Sequence, residues 1–334
     1  MTTTQRQDAV TERFFDTLRR ADVEEAVDLA LGLIDDGTPA DRVLLELVAP
    51  AQQQVGTLWQ TGTWNVAQEH AATSVNEHVV AAIGGRTRVG RGRGHVVMSC
   101  MDGEWHALPA RIVAEVMRLH GWRVTFLGAS VPAAQLIAYL HEHGPDVAAL
   151  SCALPAHLPA AARTAHAAQQ TGTPVLAGGP GFGRDGRWAR RIGVDRWAPD
   201  AVQAVAELAR LPWTGSGAAP GRPACGGAEY TGLRSRRPEL ALAAAAYLHD
   251  MPGIAGTDDP DAVAGHVVDH LEAAVYVDDP ALFGEFRAWT ESVLRARDLP
   301  VDGLAAAVAE LRALLHDFPR ARAALDAPPG GRPR

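Results

Sequence analysis

The stretch "HVVMSCMDGEWHALPARIVAEVMRLHG" (95–121) decides the architecture. It opens with a short apolar run and a polar loop follows. Apolar residues then recur at three-to-four spacing up to Gly121, which predicts strand, loop and helix in that order. The pattern repeats down the chain. "WRVTFLGAS" (122–130) reads as a strand and "VPAAQLIAYLHEHG" (131–144) as a helix. "PDVAALSCAL" (145–154) and "PAHLPAAARTAHAAQQTG" (155–172) form a second such pair, and "TPVLAGGPG" (173–181) gives a further strand. "DGRWARRIG" (185–193) and "VDRWAPDAVQAVAELARL" (194–211) close the unit. Strands alternating with helices across short Gly, Asp and Pro turns imply a parallel sheet covered on both faces. Residues 95–211 are therefore expected to be a doubly wound α/β domain, with any ligand beyond the carboxyl ends of its strands.

On the N-terminal side, residues 7–84 carry helical periodicity in "DAVTERFFDTLRRAD", "VEEAVDLALGLIDDG", "PADRVLLELVAPAQQQVGTLWQTG" and "NVAQEHAATSVNEHVVAAIGG". Asp22 and Thr38-Pro39 suit helix starts, and Gly37 and Gly84-Gly85 suit helix ends. Four amphipathic helices on short connections predict a four-helix bundle. "GRTRVGRGRG" (85–94) reads as a solvated tether to the α/β domain. On the C-terminal side, residues 212–238 are rich in Gly and Pro and read as a linker. Residues 239–327 then form an all-helical domain, with Pro238, Pro280 and Pro300 near helix starts, where a missing N–H costs nothing. The predicted class is α/β plus all-α.

Composition narrows the chemistry. A formal charge of -8 argues against a nucleic-acid or membrane-surface partner, each of which wants a basic face. No apolar run approaches the roughly 18 residues that span a bilayer, and the polar start "MTTTQRQDAVTERFFDTL" lacks the apolar core of a secretory signal. A cytoplasmic protein is expected. Cys100, Cys152 and Cys225 are scattered, which leaves neither a disulfide framework nor a cysteine-rich zinc site. All 31 basic residues are arginine, so the lysine of a phosphate-binding P-loop and the amine of a Schiff-base enzyme are both missing.

The residues that carry chemistry lie in two places. In "MDGEWHALP" (101–109), His106 falls between the first strand's carboxyl end and a helix, where a side chain projects into the ligand crevice. Glu104 stands two residues earlier and can accept the imidazole's second N–H, as metal-bound histidines usually require. In "LWQTGTWNVAQEHAATSVNEHVVAAI" (58–83), Trp59 precedes the adjacent pair Glu69-His70 by nine intervening residues, in a chain with few aromatics.

The first of these stretches resembles the cobalamin-binding domain of the methionine-synthase and methylmalonyl-mutase type. That family has Asp-x-His-x-x-Gly, then Ser-x-Leu, then Gly-Gly, each after a strand of a flavodoxin-like (Rossmann-like) sheet. Here "EWHALP" (104–109), "SCA" from Ser151 and Gly178-Gly179 follow at matching intervals, with Glu104, Pro109 and Ala153 as departures. The resemblance implies that His106 is the lower axial cobalt ligand. It also implies that the cofactor's displaced nucleotide tail passes Ser151 and the Gly178-Gly179 turn, with Trp105 and Leu154 among the cofactor-binding residues. The second stretch resembles the capping bundle of adenosylcobalamin photoreceptors of the CarH type, which carry Trp, nine residues, then Glu-His. That implies Trp59 against the adenosyl group, with Glu69 and His70 helping to hold it. Those photoreceptors begin with a basic DNA-binding domain, whereas this chain begins at the bundle, so DNA binding is not expected. They also place a histidine after the Trp that can ligate cobalt after illumination. Gln60 occupies that position here, so such ligation would need another residue, His70 or His78, or would not occur.

The helical tail resembles the globin-like, bilin-binding domain of the photocobilin group, which implies biliverdin as a second chromophore. His266 and His270 lie one turn apart, with Tyr247, Arg287 and Trp289 as further bilin candidates and Cys225 as a thioether donor or an uninvolved linker thiol. A haem site or a simple dimerisation or output-docking domain are the alternatives. The expectation is thus a light sensor rather than an enzyme. It would hold adenosylcobalamin, change its conformation or homo-oligomeric state (dimer or tetramer) on illumination, and act on an unidentified output protein. The alternative is a corrinoid methyl carrier of a methyltransferase system, which would need a small cap where Trp59 stands.

Overall fold

The computed structural model describes residues 3–88, 90, 92–213, 225–248 and 260–330. Four helical segments come first. Helix α1 spans Thr3–Arg20 and α2 spans Val23–Asp35, the latter capped by the Asp22 carboxylate on the Glu25 N–H at 3.0 Å. The third segment is one rod in three parts: α3 (Ala40–Val43), a π turn (Leu44–Val48) and α4 (Ala49–Gln60). In the π turn the Ala49 N–H donates to Leu44 O, five residues back. Pro50 follows at once; having no N–H, it suits a place where the ladder is already widened. Helix α5 (Val66–Arg86) starts at a capping box, in which Asn65 and Gln68 exchange side-chain-to-backbone bonds of 2.9 Å. The four segments bury Phe14, Leu18, Leu44, Val48, Val55, Val75 and Ile83 against one another, and α6 (Ala107–Leu119) adds Leu108, Ile112 and Val116 to that core.

The α/β layer contains strands β1 (His95–Cys100), β2 (Arg123–Phe126), β3 (Val147–Ser151), β4 (Val175–Gly178) and β5 (Arg196–Ala198). All pairs are parallel and the order is β2-β1-β3-β4-β5. This is the flavodoxin-like order, whose direction reverses between β1 and β3 and so opens a crevice there. The register sets Cys100, Ser151, Gly178 and Ala198 in one row across the carboxyl ends. Helices α7 (Ala133–His143), α8 (Leu158–Gln170), α9 (Arg187–Ile192) and α10 (Ala201–Leu208) complete the layer with α6.

The C-terminal part is helical: α11 (Gly227–Ser235), α12 (Arg237–Leu248), α13 (Pro260–Val277), α14 (Pro280–Ala296), α15 (Asp302–Leu314) and α16 (Pro319–Leu325). It differs from the sequence expectation in two respects. The Gly/Pro-rich stretch 212–238 is not linker throughout, because α11 folds inside it with Leu233 fully buried; residues 214–224 lie outside the described residues. Nor does the tail have a core of its own. Leu240, Val267, Leu271 and Phe283 belong to the same buried cluster as Val97, Leu150, Phe182 and Trp188 of the α/β layer. Helix α8 makes this possible. Its small side chains Ala161, Ala162, Ala165 and Ala168 are all buried, which lets it serve both the sheet and α13. Trp188 Nε1 donates to Asp279 Oδ2 across the junction at 2.9 Å, and Arg191 donates to the Val277 carbonyl. Residues 249–259 of the tail lie outside the described residues. Among the described residues, no helix is long and apolar enough to cross a membrane.

Candidate functional site

The loop between β1 and α6 is organised by one buried carboxylate. Glu104 is fully buried and accepts four hydrogen bonds. Its Oε1 takes the His106 N–H at 3.0 Å and the His106 Nδ1–H at 2.5 Å. Its Oε2 takes the Ala153 and Leu154 N–H groups at 2.7 and 3.1 Å, so it ties the loop after β1 to the loop after β3. These are the two loops that border the crevice. Burial alone would push the Glu104 acid up, but the bonds and charge of His106 and the backbone donors outweigh it and hold the carboxyl at about 2. His106 is pushed up in turn, first by its bond to Glu104, against the opposing effect of burial. Because Glu104 accepts the Nδ1 proton, the neutral ring carries its lone pair on Nε2, on a side chain that is 58% exposed. Trp105 beside it is 75% exposed, an unusual position for so large an apolar group.

The remaining residues named for the α/β layer lie along the same edge. Ser151 ends β3, and Leu154 sits in the loop pinned by Glu104. Gly178 ends β4 and Gly179 follows it with φ +106; a Cβ on Gly179 would fall 2.4 Å from Cys152 O. That collision with the chain's own backbone is enough to require glycine at 179, whereas at Gly178 a Cβ would meet only Ala198 O at 3.4 Å.

The helical bundle brings the second set to this loop. Trp59 lies near the end of α4, half-buried, and Trp64 on the following turn stacks on Phe15 at 5.8 Å. The capping box at Asn65 fixes the entry of α5 and hence the positions of Glu69 and His70 in its early turns. His70 Nδ1 meets Glu69 Oε2 at 2.8 Å, and His70 itself is exposed. The Glu69 charge helps to raise the His106 imidazole, so the carboxylate of the bundle and the histidine of the α/β layer lie within electrostatic reach of each other. Val66, one turn before His70, is 41% exposed. An exposed imidazole at the carboxyl edge of the sheet, the exposed Trp105 beside it and a carboxylate–histidine pair on the neighbouring bundle fit a large, mostly apolar ring with one nitrogen ligand. The loop of Glu104 and His106 therefore suits a corrin ring, which His106 would hold through its exposed imidazole.

Three supporting residues carried no sequence signal. Asn76 Nδ2 donates to Gln52 Oε1 at 2.9 Å, Gln52 Nε2 donates to Thr73 Oγ1 at 2.7 Å, and Thr73 Oγ1 donates to Glu69 Oε1 at 2.8 Å. This chain of donors runs through the bundle and ends on the Glu69 carboxylate. His157 was also missed. It sits in the turn Pro155–His157 against α13, next to Gly103, and its buried Nε2 has no partner.

The tail candidates are only partly brought together. His270 is buried, donates from Nδ1 to His266 O at 2.7 Å and stacks on Phe286 at 4.0 Å. Burial pushes its imidazole down to about 4, so it is neutral. His266 is one turn away and faces His157 and Asp269 electrostatically. Arg287 instead donates to the Leu325 and Ala327 carbonyls at the end of α16. Tyr247 points to Glu310 on α15 at 3.4 Å, Trp289 lies towards the end of α14 with its carbonyl bonded by Ser292, and Cys225 donates to Arg191 O at 3.4 Å.

Comparison with known proteins accounts for both halves of the cleft. Residues 94–206 match the family described as B12 binding domain, and residues 10–83 match a second family of the same description. The HTH-type transcriptional repressor CarH of Myxococcus xanthus is 33% identical over 137 residues, which is 41% of this chain and 43% of CarH. The chain thus spans less than half the length of that relative. Among solved structures, the Methanosarcina barkeri monomethylamine corrinoid protein shares the fold, with a TM-score of 0.53 at 14% identity over 60% of this chain and 97% of that one. The helical bundle and the α/β layer thus each match a B12 binding domain, 137 residues of the chain are similar to CarH, and cobalamin is the cofactor these matches indicate.

Proposed function

We propose that this chain is a light sensor that holds adenosylcobalamin between the bundle and the α/β layer. His106 would hold the cobalt through Nε2, and Trp59, Glu69 and His70 would enclose the adenosyl group. When bound, the cofactor supplies a cobalt–carbon bond that visible light breaks. The chain's own part is to orient and to respond. Glu104 fixes the imidazole's tautomer and direction, and Trp59 occupies the volume that distinguishes an adenosyl group from a methyl group. Loss of the upper ligand removes the packing partner of Trp59 and biases the bundle towards a second arrangement, with a change of homo-oligomer, dimer or tetramer, as the output. The observation that carries this reading is the packing of α5, which bears Glu69 and His70, against α6, which follows the Glu104–His106 loop, in one shared core. The helical tail is proposed to take biliverdin beside His266 and His270, on the strength of the buried imidazole stacked on Phe286.

The test is spectroscopic. The purified protein should bind adenosylcobalamin in the dark, and green light should change its visible spectrum irreversibly and alter its mass by light scattering. A spectrum indifferent to light, together with demethylation of methylcobalamin by a partner methyltransferase, would establish a corrinoid carrier instead. His106→Ala should abolish the histidine-ligated spectrum. Added biliverdin should give a shifted red band that is lost in a His266→Ala/His270→Ala variant, and no shift would remove the second chromophore from the proposal.

A further inference from the structure

Helix α14 begins on one domain and ends on the other. At its start, Asp279 accepts from Trp188 Nε1 at 2.9 Å and Glu285 accepts from Arg187 Nη2 at 2.5 Å, both donors belonging to the α/β layer. At its end, Arg297, its C-terminal cap, lays its guanidinium over the Trp59 ring, with Cζ 4.8 Å from the centroid. The same side chain donates from Nη2 to the Trp59 carbonyl at 2.7 Å. Ser292 accepts from Gln60 Nε2 at 3.4 Å. Gly62 completes the seat, since with φ +72 a Cβ there would fall 2.9 Å from Arg297 Cγ. Seventeen helical residues at about 1.5 Å each make a strut of roughly 25 Å. It bridges the same two bodies that the cofactor cleft separates.

We propose that Arg297 is a positioning residue for the upper face of the cofactor, acting through Trp59, and that α14 sets the height of Trp59 above the α/β layer. The inference rests on the light-sensor reading of Trp59. A side chain bonded at its own carbonyl and stacked on one ring face presents only its other face and its edge to a ligand. The tail therefore favours cobalamins whose upper ligand fills the fixed gap. Linkage requires the reverse as well: such a ligand holds the end of α14 against the bundle, and removing it loosens that contact. Gln60 belongs to the same clasp, tied to Ser292.

The experiment uses the full chain with Arg297→Met, Arg297→Lys and Ser292→Ala. Dark titrations by visible absorbance give the affinities for adenosylcobalamin and hydroxocobalamin, and hydrogen exchange follows residues 58–64 and 289–298 with each. In the wild type, adenosylcobalamin should protect both segments more than hydroxocobalamin does. Arg297→Met should lower the adenosyl preference about 3- to 10-fold, the range of one partly buried cation–π contact. It should erase the extra protection and leave the hydroxocobalamin affinity unchanged, which also serves as the control for folding. Arg297→Lys should restore part of the preference, and Ser292→Ala should lose less than Arg297→Met. Wild-type preference and protection retained in Arg297→Met would overturn the inference alone. A wild type with no preference for adenosylcobalamin would overturn the light-sensor reading and this inference together. If Arg297→Met also loses hydroxocobalamin, Arg297→Lys and Ser292→Ala decide: wild-type preference in both overturns the inference, and graded loss supports it.

Discussion

Glu104 and Glu69 are both carboxylates beside a histidine, one on each wall of the cleft, yet they are built differently. Glu104 is fully buried and satisfied by four donors from two loops, so the direction of His106 is set before any ligand arrives. Glu69 is 24% exposed, and its partners are a hydroxyl and an exposed imidazole on its own helix. The surroundings of Glu104 are thus pre-formed and those of Glu69 adjustable, which is the division the proposed sensor would need if one side is to stay fixed while the other registers change. The sharpest way to break this contrast is to remove each carboxylate. Glu104→Leu leaves the His106, Ala153 and Leu154 N–H groups without their acceptor, and should destabilise the apo protein by about 3–5 kcal/mol in urea unfolding. Glu69→Leu should cost no more than about 1 kcal/mol, because water can replace its bonds. Equal costs would refute the contrast.

The tail extends the comparison with a histidine that is buried without a carboxylate on its ring. His270 is buried and neutral, its imidazole held down at about 4, with His266, Asp269 and His157 as the titratable neighbours that bear on it. The unfolded chain binds a proton at this residue below about pH 6.5, whereas the folded chain does so only near 4. Stability contributed by the neutral form is therefore intact above 6.5 and declines as pH falls towards 4, by about 1.4 kcal/mol per pH unit. His270→Phe should flatten that part of the stability curve, measured by urea unfolding at stepped pH. An unchanged slope would mean that another group controls it.

What was legible in the sequence was whatever has a short period or a fixed spacing. Alternating strands and helices located the crevice, and "EWH" with "SCA" located the loops on its rim. Trp59 and Glu69-His70 marked the bundle wall because one α4–α5 turn joins them. What was not legible depends on contacts between distant residues. The second oxygen of Glu104 is spent on N–H groups 49 and 50 positions later, and Arg297 reaches a tryptophan 238 positions earlier. Helix α11 was hidden by its glycines, since its low intrinsic propensity is overridden by burial of Leu233. The alanines of α8 gave no warning that both of its sides are covered. Their small size is itself the signal, because only a thin helix fits between a sheet and another helix.

The smallest expected effect is also the most selective. Gln52 uses both ends of its amide: Oε1 accepts from Asn76 and Nε2 donates to Thr73. The Glu69 carboxylate can only accept, so the single proton of Thr73 Oγ1 goes to its Oε1, and Oε2 is left to face His70 Nδ1. The direction of every bond is therefore fixed from the Glu69 carboxylate back to Asn76, which anchors Glu69 in the bundle. Thr73→Val keeps the shape and removes the relay's last donor. It should weaken adenosylcobalamin binding by about 3- to 5-fold, the value of one neutral hydrogen bond, and leave hydroxocobalamin binding and the unfolding midpoint nearly unchanged. Equal loss for the two cobalamins would show that Thr73 supports the bundle as a whole. Loss confined to adenosylcobalamin would show that the relay holds Glu69 for the upper ligand.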